Sequence, residues 1–491
     1  MTPSQIGSDQ HRPLRVAVVG AGPSGFYAVA ALLDAPDLHV SIDVFDRLPA
    51  PFGLVRYGVA PDHEKIKRVD RVFDKTARDP RVRYYGNVAL GRDVSRRELL
   101  DLYDAVIYAV GAQSDRRLGI PGEDLDGSWS STEFVAWYNG HPDFAAAEYP
   151  LSHRQVAVVG IGNVAMDCAR LLARPAEDLA STDISDTALE VFRDSRVEDV
   201  HILARRGPAQ AACTPSELKE LGELDGVDVI VDPAALDDPE MAGEADRQTK
   251  KNLDLFREFA EGGEGDADGE ARRRIHFHFL ASPVEVLDDG DGRVEGLVVE
   301  DNELVERDGR LRPEGTGRRR ELPVSAVIRA IGYRSVPLPD VPFDEAWGII
   351  PNRDGRVTTW RDGTREEEAP VQPREYVVGW AKRGPSGLIG TNKADSNDTV
   401  ERLLEDAGEW VHDEGAGDGE VARDEEGRAA IEELLRQRGV PWVDYAGWQA
   451  IEKLETERGA ESGRPRAKIC RVDELLEASG TLPAAARAES A

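Results

Sequence analysis

Two glycine-rich turns, each placed directly after a short apolar run, constrain this sequence more than any other feature. The first turn, GAGPSG at residues 20–25, follows the run RVAVV, and the second, GIGNVA at residues 160–165, follows QVAVV. Short apolar β-branched runs are typical of buried parallel strands, and a helix that starts at such a turn offers its N-terminus to a pyrophosphate. The sequence therefore predicts two dinucleotide-binding βαβ units. The motif positions are Gly20, Gly22 and Gly25 in the first turn, and Gly160, Gly162 and Ala165 in the second.

The residues that follow the second strand of each unit indicate which dinucleotide it binds. Asp46 ends the run VSIDVFD, where a carboxylate can accept hydrogen bonds from ribose hydroxyls. In the second unit the run VHILA is followed by Arg205 and Arg206, whose guanidiniums would bind a 2′-phosphate. We therefore expect FAD in the first unit, and NADP(H) rather than NAD(H) in the second.

Two similar strands predict how the units are connected. The runs AVIYAVG at residues 105–111 and AVIRAIG at residues 326–332 both end in glycine and suit the two crossing points of an inserted domain. The predicted fold class is α/β, with two Rossmann-like dinucleotide-binding domains and the NADP domain inserted into the FAD domain. The expected boundaries are residues 1–112 and 330–491 for the FAD domain, the latter with an acidic C-terminal extension, and residues 113–329 for the NADP domain.

Two further segments have a distinct pattern. The strand candidates HFHFL (276–280) and VEGLVVE (294–300) flank a turn at residues 288–292, which suggests a hairpin. Residues 413–426 are acidic and rich in glycine, and we expect local disorder there.

Charge and cysteine content exclude several classes of protein. The 491 residues include 93 acidic and 61 basic side chains, and the net charge of −32 disfavours binding to nucleic acid or to anionic membrane surfaces. No run approaches the ~18 apolar residues of a membrane span. Cys168, Cys213 and Cys470 are far apart, without metal-binding spacing or the close pair that a disulfide reductase needs. We expect a cytoplasmic monomer without a metal site.

A third glycine-rich region is a candidate for the flavin ring. Gly379 and Trp380 follow the strand-like EYVVG, and residues 384–390 read GPSGLIG. Backbone N–H groups in such a segment can approach the ring carbonyls closely, and a helix starting near Asp395 would favour negative charge on a reduced flavin.

Five long segments together resemble the adrenodoxin-reductase-like ferredoxin–NADP reductases, the actinobacterial members in particular. The resemblance runs from about Arg15 to Thr399. It implies that electrons pass from NADPH through FAD to a small iron–sulfur protein. The segments are LPAPFGLVRYGVAPDHEKIK (48–67), AVIYAVGAQSDRRLGIPG (105–122), GNVAMDCARL (162–171), RRGPAQAACTPSEL (205–218) and GWAKRGPSGLIGTNK (379–393).

The resemblance also implies roles for individual residues. Contacts to FAD are implied for Ser24, Asp46, Leu54, Leu90 and Trp380, and for the backbone of Gly387, Leu388 and Ile389. Contacts to NADP are implied for Arg116, Asn163, Val164, Arg205, Arg206, Glu217 and Gly387. His63, Asp167 and Glu217 are implied as the polar catalytic set near the flavin–nicotinamide contact. Asp46 departs from the family, which has glutamate there, so its shorter side chain needs a water or a slight shift to reach the ribose.

The partner implied by the resemblance conflicts with the overall charge, because ferredoxins are usually acidic. The stretch from Glu64 to Arg83 carries eight basic and four acidic side chains, and we expect its part from Lys65 to Arg83 to dock the ferredoxin. Two alternatives stay open. One is an electron-input subunit of a larger oxidoreductase, like the small subunit of glutamate synthase, which usually brings cysteine-rich cluster motifs. The other is a non-catalytic NADP-binding redox sensor.

Overall fold

The computed structural model of the protein describes residues 13–236, 246–262, 273–359, 369–409 and 424–482. Most of the acidic segment for which we expected disorder, residues 413–423, lies outside these ranges, and its last residues begin a helix at Asp424.

The strands, in chain order, are β1 (Leu14–Val19), β2 (Val40–Asp46), β3 (Val82–Gly86), β4 (Ala105–Tyr108), β5 (Ser114–Asp115), β6 (Ser128–Ser130), β7 (Gln155–Val159), β8 (Asp199–Leu203), β9 (Val227–Val231), β10 (Arg273–His278), β11 (Ala281–Asp288), β12 (Val294–Arg307), β13 (Arg310–Leu322), β14 (Ala326–Arg329), β15 (Tyr333–Arg334), β16 (Asn352–Arg353), β17 (Arg356–Thr358) and β18 (Val371–Val377).

The helices are α1 (Pro23–Leu33), α2 (Leu54–Tyr57), α3 (Glu64–Lys67), α4 (Asp70–Ala77), α5 (Arg96–Leu102), α6 (Ser131–Tyr138), α7 (Asn163–Ala173), α8 (Ala176–Leu179), α9 (Asp186–Arg193), α10 (Pro215–Gly222), α11 (Arg247–Gly262), α12 (Trp380–Arg383), α13 (Thr391–Glu409), α14 (Asp424–Gln437), α15 (Tyr445–Glu461) and α16 (Val472–Ala478). Short 3₁₀ turns cover Pro142–Phe144, Pro208–Gln210 and Pro233–Leu236.

The chain forms two compact units, and the second is inserted into the first. The first unit contains the described residues up to Val59, then His63–Ser114, and those from Tyr333 onwards; the second contains Ala60–Asp62 and Asp115–Gly332. The predicted fold class, with one Rossmann-like domain inserted into another, is confirmed. The sequence did not predict that Ala60–Asp62 belongs to the second unit.

The first unit is built on a seven-stranded sheet with the order β16-β17-β18-β4-β1-β2-β3. Strand β1 pairs in parallel with β2 and with β4, and β18 continues the parallel part. All six residues of β1 are buried, because α1 and α13 contribute to the core on one face while α5 and α14 contribute to that on the other. Burial on both faces explains why this strand reads as a continuous apolar run.

The second unit has a six-stranded sheet in the order β6-β14-β7-β8-β10-β9, and every pairing in it is parallel. Helices α6, α7, α9, α10 and α11 contribute the core on one face. The three-stranded antiparallel sheet β11-β12-β13 packs on the other face.

The predicted hairpin has the expected turn but a different first strand. The segment HFHFL belongs mostly to β10, which is parallel to β8 and β9. The partner of β12 across the turn is β11, which starts at Ala281. The chain changes direction between the two strands at Leu280, whose φ is +50°. Period-two alternation predicts a strand but does not identify its neighbour, and here the neighbour is remote in sequence.

No helix in the described part of the chain is long and apolar enough to cross a membrane.

Candidate functional site

Each fingerprint turn is fixed by close backbone contact with a neighbouring strand. Gly20 has a φ of +112°, and a Cβ there would overlap the carbonyl oxygen of Ala109. Gly160 has a φ of +132°, and a Cβ there would overlap the carbonyl oxygen of Ala330. Only glycine fits such a position. By contrast, a Cβ at Gly162 would meet no atom within 4 Å, which leaves open space beside the second turn.

In the first unit, Asp46 faces the fingerprint turn. Its two carboxylate oxygens accept hydrogen bonds from the backbone N–H groups of Ala21 (2.8 Å) and Leu48 (2.9 Å). Burial raises the pKa of Asp46 above its ordinary value, and the two backbone hydrogen bonds partly offset this. These bonds tie the carboxylate to the turn, so its short side chain is oriented without a further protein group.

The glycine-rich segment after β18 lies beside the same turn. A Cβ at Gly379 would overlap the Oγ of Ser24, and the hydroxyl of Ser396 donates to the carbonyl oxygen of Ser24 at 3.0 Å. The indole N–H of Trp380 donates to the carbonyl oxygen of Ser386 at 3.2 Å. Two predicted FAD contacts, Ser24 and Trp380, are thus placed on adjoining segments.

The remaining predicted FAD contacts also lie in the first unit. Leu54 is the first residue of α2, directly after Gly53, whose Cβ would come within 3.0 Å of the Cα of Gly22. Leu90 lies in the turn between β3 and α5, where it bridges to Val94. The Gly387–Ile389 segment precedes α13, which begins at Thr391, four residues earlier than expected from the sequence.

In the second unit, the residues after β7 and β8 come together around the second turn. Asn163 opens α7, and its side-chain oxygen accepts the backbone N–H of Thr214 at 2.8 Å. Val164 is half-buried and Ala165 is fully buried against the sheet. Arg116 is exposed, and its backbone N–H donates to the carbonyl oxygen of Gly332.

Arg205 and Arg206 follow the end of β8. Among the described residues neither guanidinium pairs with a carboxylate, although the chain is strongly acidic. Burial, and then repulsion from Arg205, lower the pKa of Arg206. Two adjacent cations without an anionic partner form a site that favours a doubly charged phosphate.

The predicted catalytic carboxylates share one buried arginine. Arg170, whose side chain is 2% exposed, donates to Asp167 Oδ1 at 2.7 Å and to Glu217 Oε2 at 3.4 Å. It also makes two hydrogen bonds to Asp62, at 2.8 and 2.9 Å. Burial alone would lower the pKa of Arg170, but the carboxylates raise it well above its ordinary value. His63, the third member of the predicted set, belongs to the first unit and precedes α3.

Sequence reasoning missed Arg170 and Asp62. The three-residue spacing between Asp167 and Arg170 on a helix is a recognisable signal for an ion pair. Nothing local in the sequence indicates that Asp62 joins them, because 108 positions separate it from Arg170.

The cysteines are free thiols. Cys168 and Cys213 are buried, and burial raises the pKa of Cys213 to about 12. A thiol with such a pKa is a poor nucleophile at neutral pH.

Comparison with known proteins identifies close relatives over almost the whole chain. Residues 14–231 match the model of the pyridine nucleotide-disulphide oxidoreductase family. NADPH-ferredoxin reductase FprA of Mycobacterium leprae is 47% identical over 474 residues, which are 95% of this chain and 98% of that protein. The mitochondrial NADPH:adrenodoxin oxidoreductase of Arabidopsis thaliana is 39% identical over 98% of both chains.

A solved structure supports the same relationship. Mycobacterium tuberculosis FprA in complex with NADPH superposes with a TM-score of 0.87 and 45% identity, covering 95% of this chain and all of that one. The chain therefore belongs to the NADPH–ferredoxin reductase family that includes FprA and the adrenodoxin oxidoreductases.

Proposed function

We propose that the protein is an FAD-dependent ferredoxin–NADP reductase that passes electrons from NADPH to a ferredoxin-type iron–sulfur protein. The observation that carries this proposal is the pair of fingerprint turns, one with Asp46 beside it and the other with two arginines that pair with no carboxylate in the described ranges. Bound FAD would supply the chemistry that joins a two-electron hydride donor to a one-electron acceptor. The names of the relatives describe the same activity.

The residues of the first unit fit FAD. The close approach of the Gly22 and Gly53 backbones leaves no side chain between the turn and α2, and Asp46 is held at the turn for the ribose. The Gly379–Trp380 segment supplies backbone next to Ser24. We assign FAD contacts to the following residues: Gly20, Gly22, Ser24, Gly25, Asp46, Leu54, Leu90, Trp380, Gly387, Leu388 and Ile389.

The residues of the second unit fit NADP(H). The space beside Gly162 accommodates the pyrophosphate, and the two guanidiniums after β8 would bind the 2′-phosphate. We assign NADP contacts to the following residues: Arg116, Gly160, Gly162, Asn163, Val164, Ala165, Arg205, Arg206, Glu217 and Gly387.

We assign the polar catalytic set to His63, Asp167 and Glu217. Support comes from Arg170, whose single guanidinium lies 2.7 Å from Asp167 and 3.4 Å from Glu217 and so ties both carboxylates to one buried cation. Asp62 accepts two further hydrogen bonds from this buried guanidinium, and Glu220 lies 3.4 Å from its Nη1.

Reduction of the bound flavin tests the cofactor assignment. The purified protein should be yellow, and under anaerobic conditions NADPH should bleach the flavin absorbance at a much higher rate than NADH at the same concentration. Equal rates would contradict the assignment of NADP(H) to the second unit. Negligible bleaching by either nucleotide would instead favour the redox sensor.

We also propose a narrower docking surface than the sequence suggested. Several cations of the predicted stretch are occupied: Arg83 pairs with Asp43 at 2.6 Å, and Arg78 and Arg81 pair with nearby aspartates. Lys67 is buried. These side chains are less available for electrostatic attraction of a partner.

The cations that stay available lie around two exposed apolar side chains. Lys65, Arg71 and Lys75 are exposed without a carboxylate partner among the described residues. Ile66 is 43% exposed and Val72 is 55% exposed. Exposed apolar side chains with available cations beside them are typical of a protein docking site. We call this set the α3–α4 face and assign it to the acidic ferredoxin.

The monomeric state and the cytoplasmic location are parts of the same proposal. Three free cysteines, two of them buried, suit a reducing compartment. Size-exclusion chromatography with light scattering should give the mass of one chain, and a dimer mass would contradict the monomer.

A further inference from the structure

The backbone that carries Arg205 and Arg206 is held in place by the chain entering the antiparallel sheet. The N–H of Ala281 donates to the carbonyl oxygen of Ala204 at 2.9 Å, and the N–H of Leu280 donates to that of Arg206 at 3.2 Å. The short segment Leu280–Ala281 therefore donates hydrogen bonds to the carbonyl oxygens of Ala204, which precedes the arginine pair, and of Arg206, its second member.

The carbonyl oxygen of Arg205 accepts a hydrogen bond from a side chain on β12. The Nδ2 of Asn302 donates to the carbonyl oxygen of Arg205 at 2.9 Å and to Ser282 Oγ at 2.8 Å. The backbone N–H of Asn302 donates to the carbonyl oxygen of Leu280 at 2.7 Å. One residue thus binds both the arginine pair and the segment that supports it.

The backbone geometry of β12 is irregular at Asn302. The register between β12 and β13 shifts between Glu300 and Asn302, and such bulges redirect a side chain. Asn302 is 7% exposed. Leu280 has a φ of +50°, a conformation that a leucine keeps only where surrounding contacts hold it.

We propose that Asn302 is a positioning residue for nucleotide specificity, which fixes the Arg205–Arg206 backbone so that both guanidiniums face the 2′-phosphate of NADP(H). The two cations repel each other, so without a fixed backbone they would separate in the free protein and would have to be brought together on binding. This inference rests on the proposed binding of NADP(H) by the second unit. It adds a residue that touches neither the nucleotide nor the flavin.

Binding of 2′,5′-ADP tests the inference without turnover, because this probe carries the 2′-phosphate but no nicotinamide. Calorimetry with the FAD-loaded Asn302→Ala and Asn302→Leu variants should give a Kd about threefold to tenfold higher than that of the wild type, the range expected for one lost hydrogen bond. The kcat/KM for NADPH with ferricyanide should fall by a similar factor, whereas that for NADH should not change. Asn302→Leu removes the amide but keeps a similar side-chain volume and adds no charge, so it tests the lost hydrogen bond even if the cavity left by Asn302→Ala is destabilising.

Thr316→Val is the matched control. Thr316 is half-buried in the same sheet and donates to the carbonyl oxygen of Asp301 at 2.8 Å, but it makes no contact with the arginine pair. Its substitution should leave the Kd for 2′,5′-ADP unchanged. An equal loss of affinity for 2′,5′-ADP in this control would overturn the inference in favour of a general structural role. Equal falls in kcat/KM for NADPH and NADH in the Asn302 variants would do the same.

A double-variant cycle with Arg206→Ala separates this inference from the proposed function. If Asn302 acts through the arginines, adding Asn302→Ala to Arg206→Ala should raise the Kd by less than it does in the wild type. Full additivity, or a wild-type Kd in both Asn302 variants, would overturn the inference. An Arg206→Ala variant that binds 2′,5′-ADP normally would instead overturn the 2′-phosphate site itself.

Discussion

At the scale of single residues, a set of histidines gives the second unit a defined response to pH. His201 on β8 and His278 on β10 are hydrogen-bonded to each other at 3.0 Å, and the ring of His276 stacks on His201. Burial, and then repulsion from His276, lower the pKa of His201 to about 4; burial, and then His201 and Arg320, lower that of His278 to about 3. Both rings are therefore neutral in the folded protein at physiological pH.

We expect this burial to make the protein less stable in mild acid. In the unfolded chain a histidine takes up a proton near pH ~6.5, whereas folded His201 does so only near pH 4. Its contribution to the free energy of unfolding is complete above pH ~6.5 and is lost as the pH falls towards 4. Between pH 7 and pH 5 the wild type should lose about 2 kcal/mol more of this free energy than a His201→Gln variant. Denaturant unfolding at both pH values measures this, and equal losses would contradict the low pKa.

Individual site residues could be predicted from the sequence where their signal is local. Asp46 is the last residue of β2 and Arg205 lies two residues after the end of β8, so their position along the chain already fixes the edge of the sheet at which they lie. Asn302 gives no such signal, because it reaches Arg205 across 97 positions. Its bulge and its hydrogen bonds exist only after the antiparallel sheet has packed on the parallel one.

At the scale of elements, α3 and α4 provide the test of ferredoxin docking. We expect the Arg71→Glu/Lys75→Glu variant to raise the KM for ferredoxin at least about fivefold at low ionic strength, because a favourable charge contact becomes repulsive. Ferricyanide needs no docking surface, so its reduction by NADPH should be unchanged. Initial rates over a range of ferredoxin and salt concentrations measure both effects.

Arg310→Glu is a suitable control for the docking variant. Arg310 is exposed on β13 of the second unit and pairs with no carboxylate among the described residues, so its reversal changes the net charge but not the α3–α4 face. An equal rise of the ferredoxin KM in this control would mean that overall charge, not local docking, governs the encounter. Equal losses with ferricyanide would also contradict the docking assignment.

The elements themselves were predictable to different degrees. The strands around both fingerprints were predictable because burial on both faces imposes apolar runs. The role of α15 was not predictable: Glu455 on this helix forms a buried ion pair with Arg56, 399 positions away, and both side chains are 3% exposed or less. In the sequence around each residue, a buried charged side chain cannot be distinguished from a charged side chain exposed to solvent.

At the scale of the whole molecule, repetition in the sequence determined what could be foreseen. Two fingerprints and two strands of the same pattern predicted one domain inserted into another. The net charge of −32 predicted which partners are excluded, but not where an acidic protein could bind. The docking surface could be narrowed only from the ion pairs of the folded chain, because several arginines of the basic stretch pair with aspartates there.

The central claim is that electrons from NADPH leave this protein one at a time for a ferredoxin. The most direct measurement is the anaerobic reduction of each purified host ferredoxin by catalytic amounts of the protein, followed at the visible absorbance of the iron–sulfur cluster. We expect complete reduction with NADPH, at a rate that saturates with ferredoxin, and little reduction with NADH. A protein whose flavin is bleached by NADPH but which reduces no ferredoxin, and which co-purifies with a large partner, would contradict the claim and identify it as an electron-input subunit.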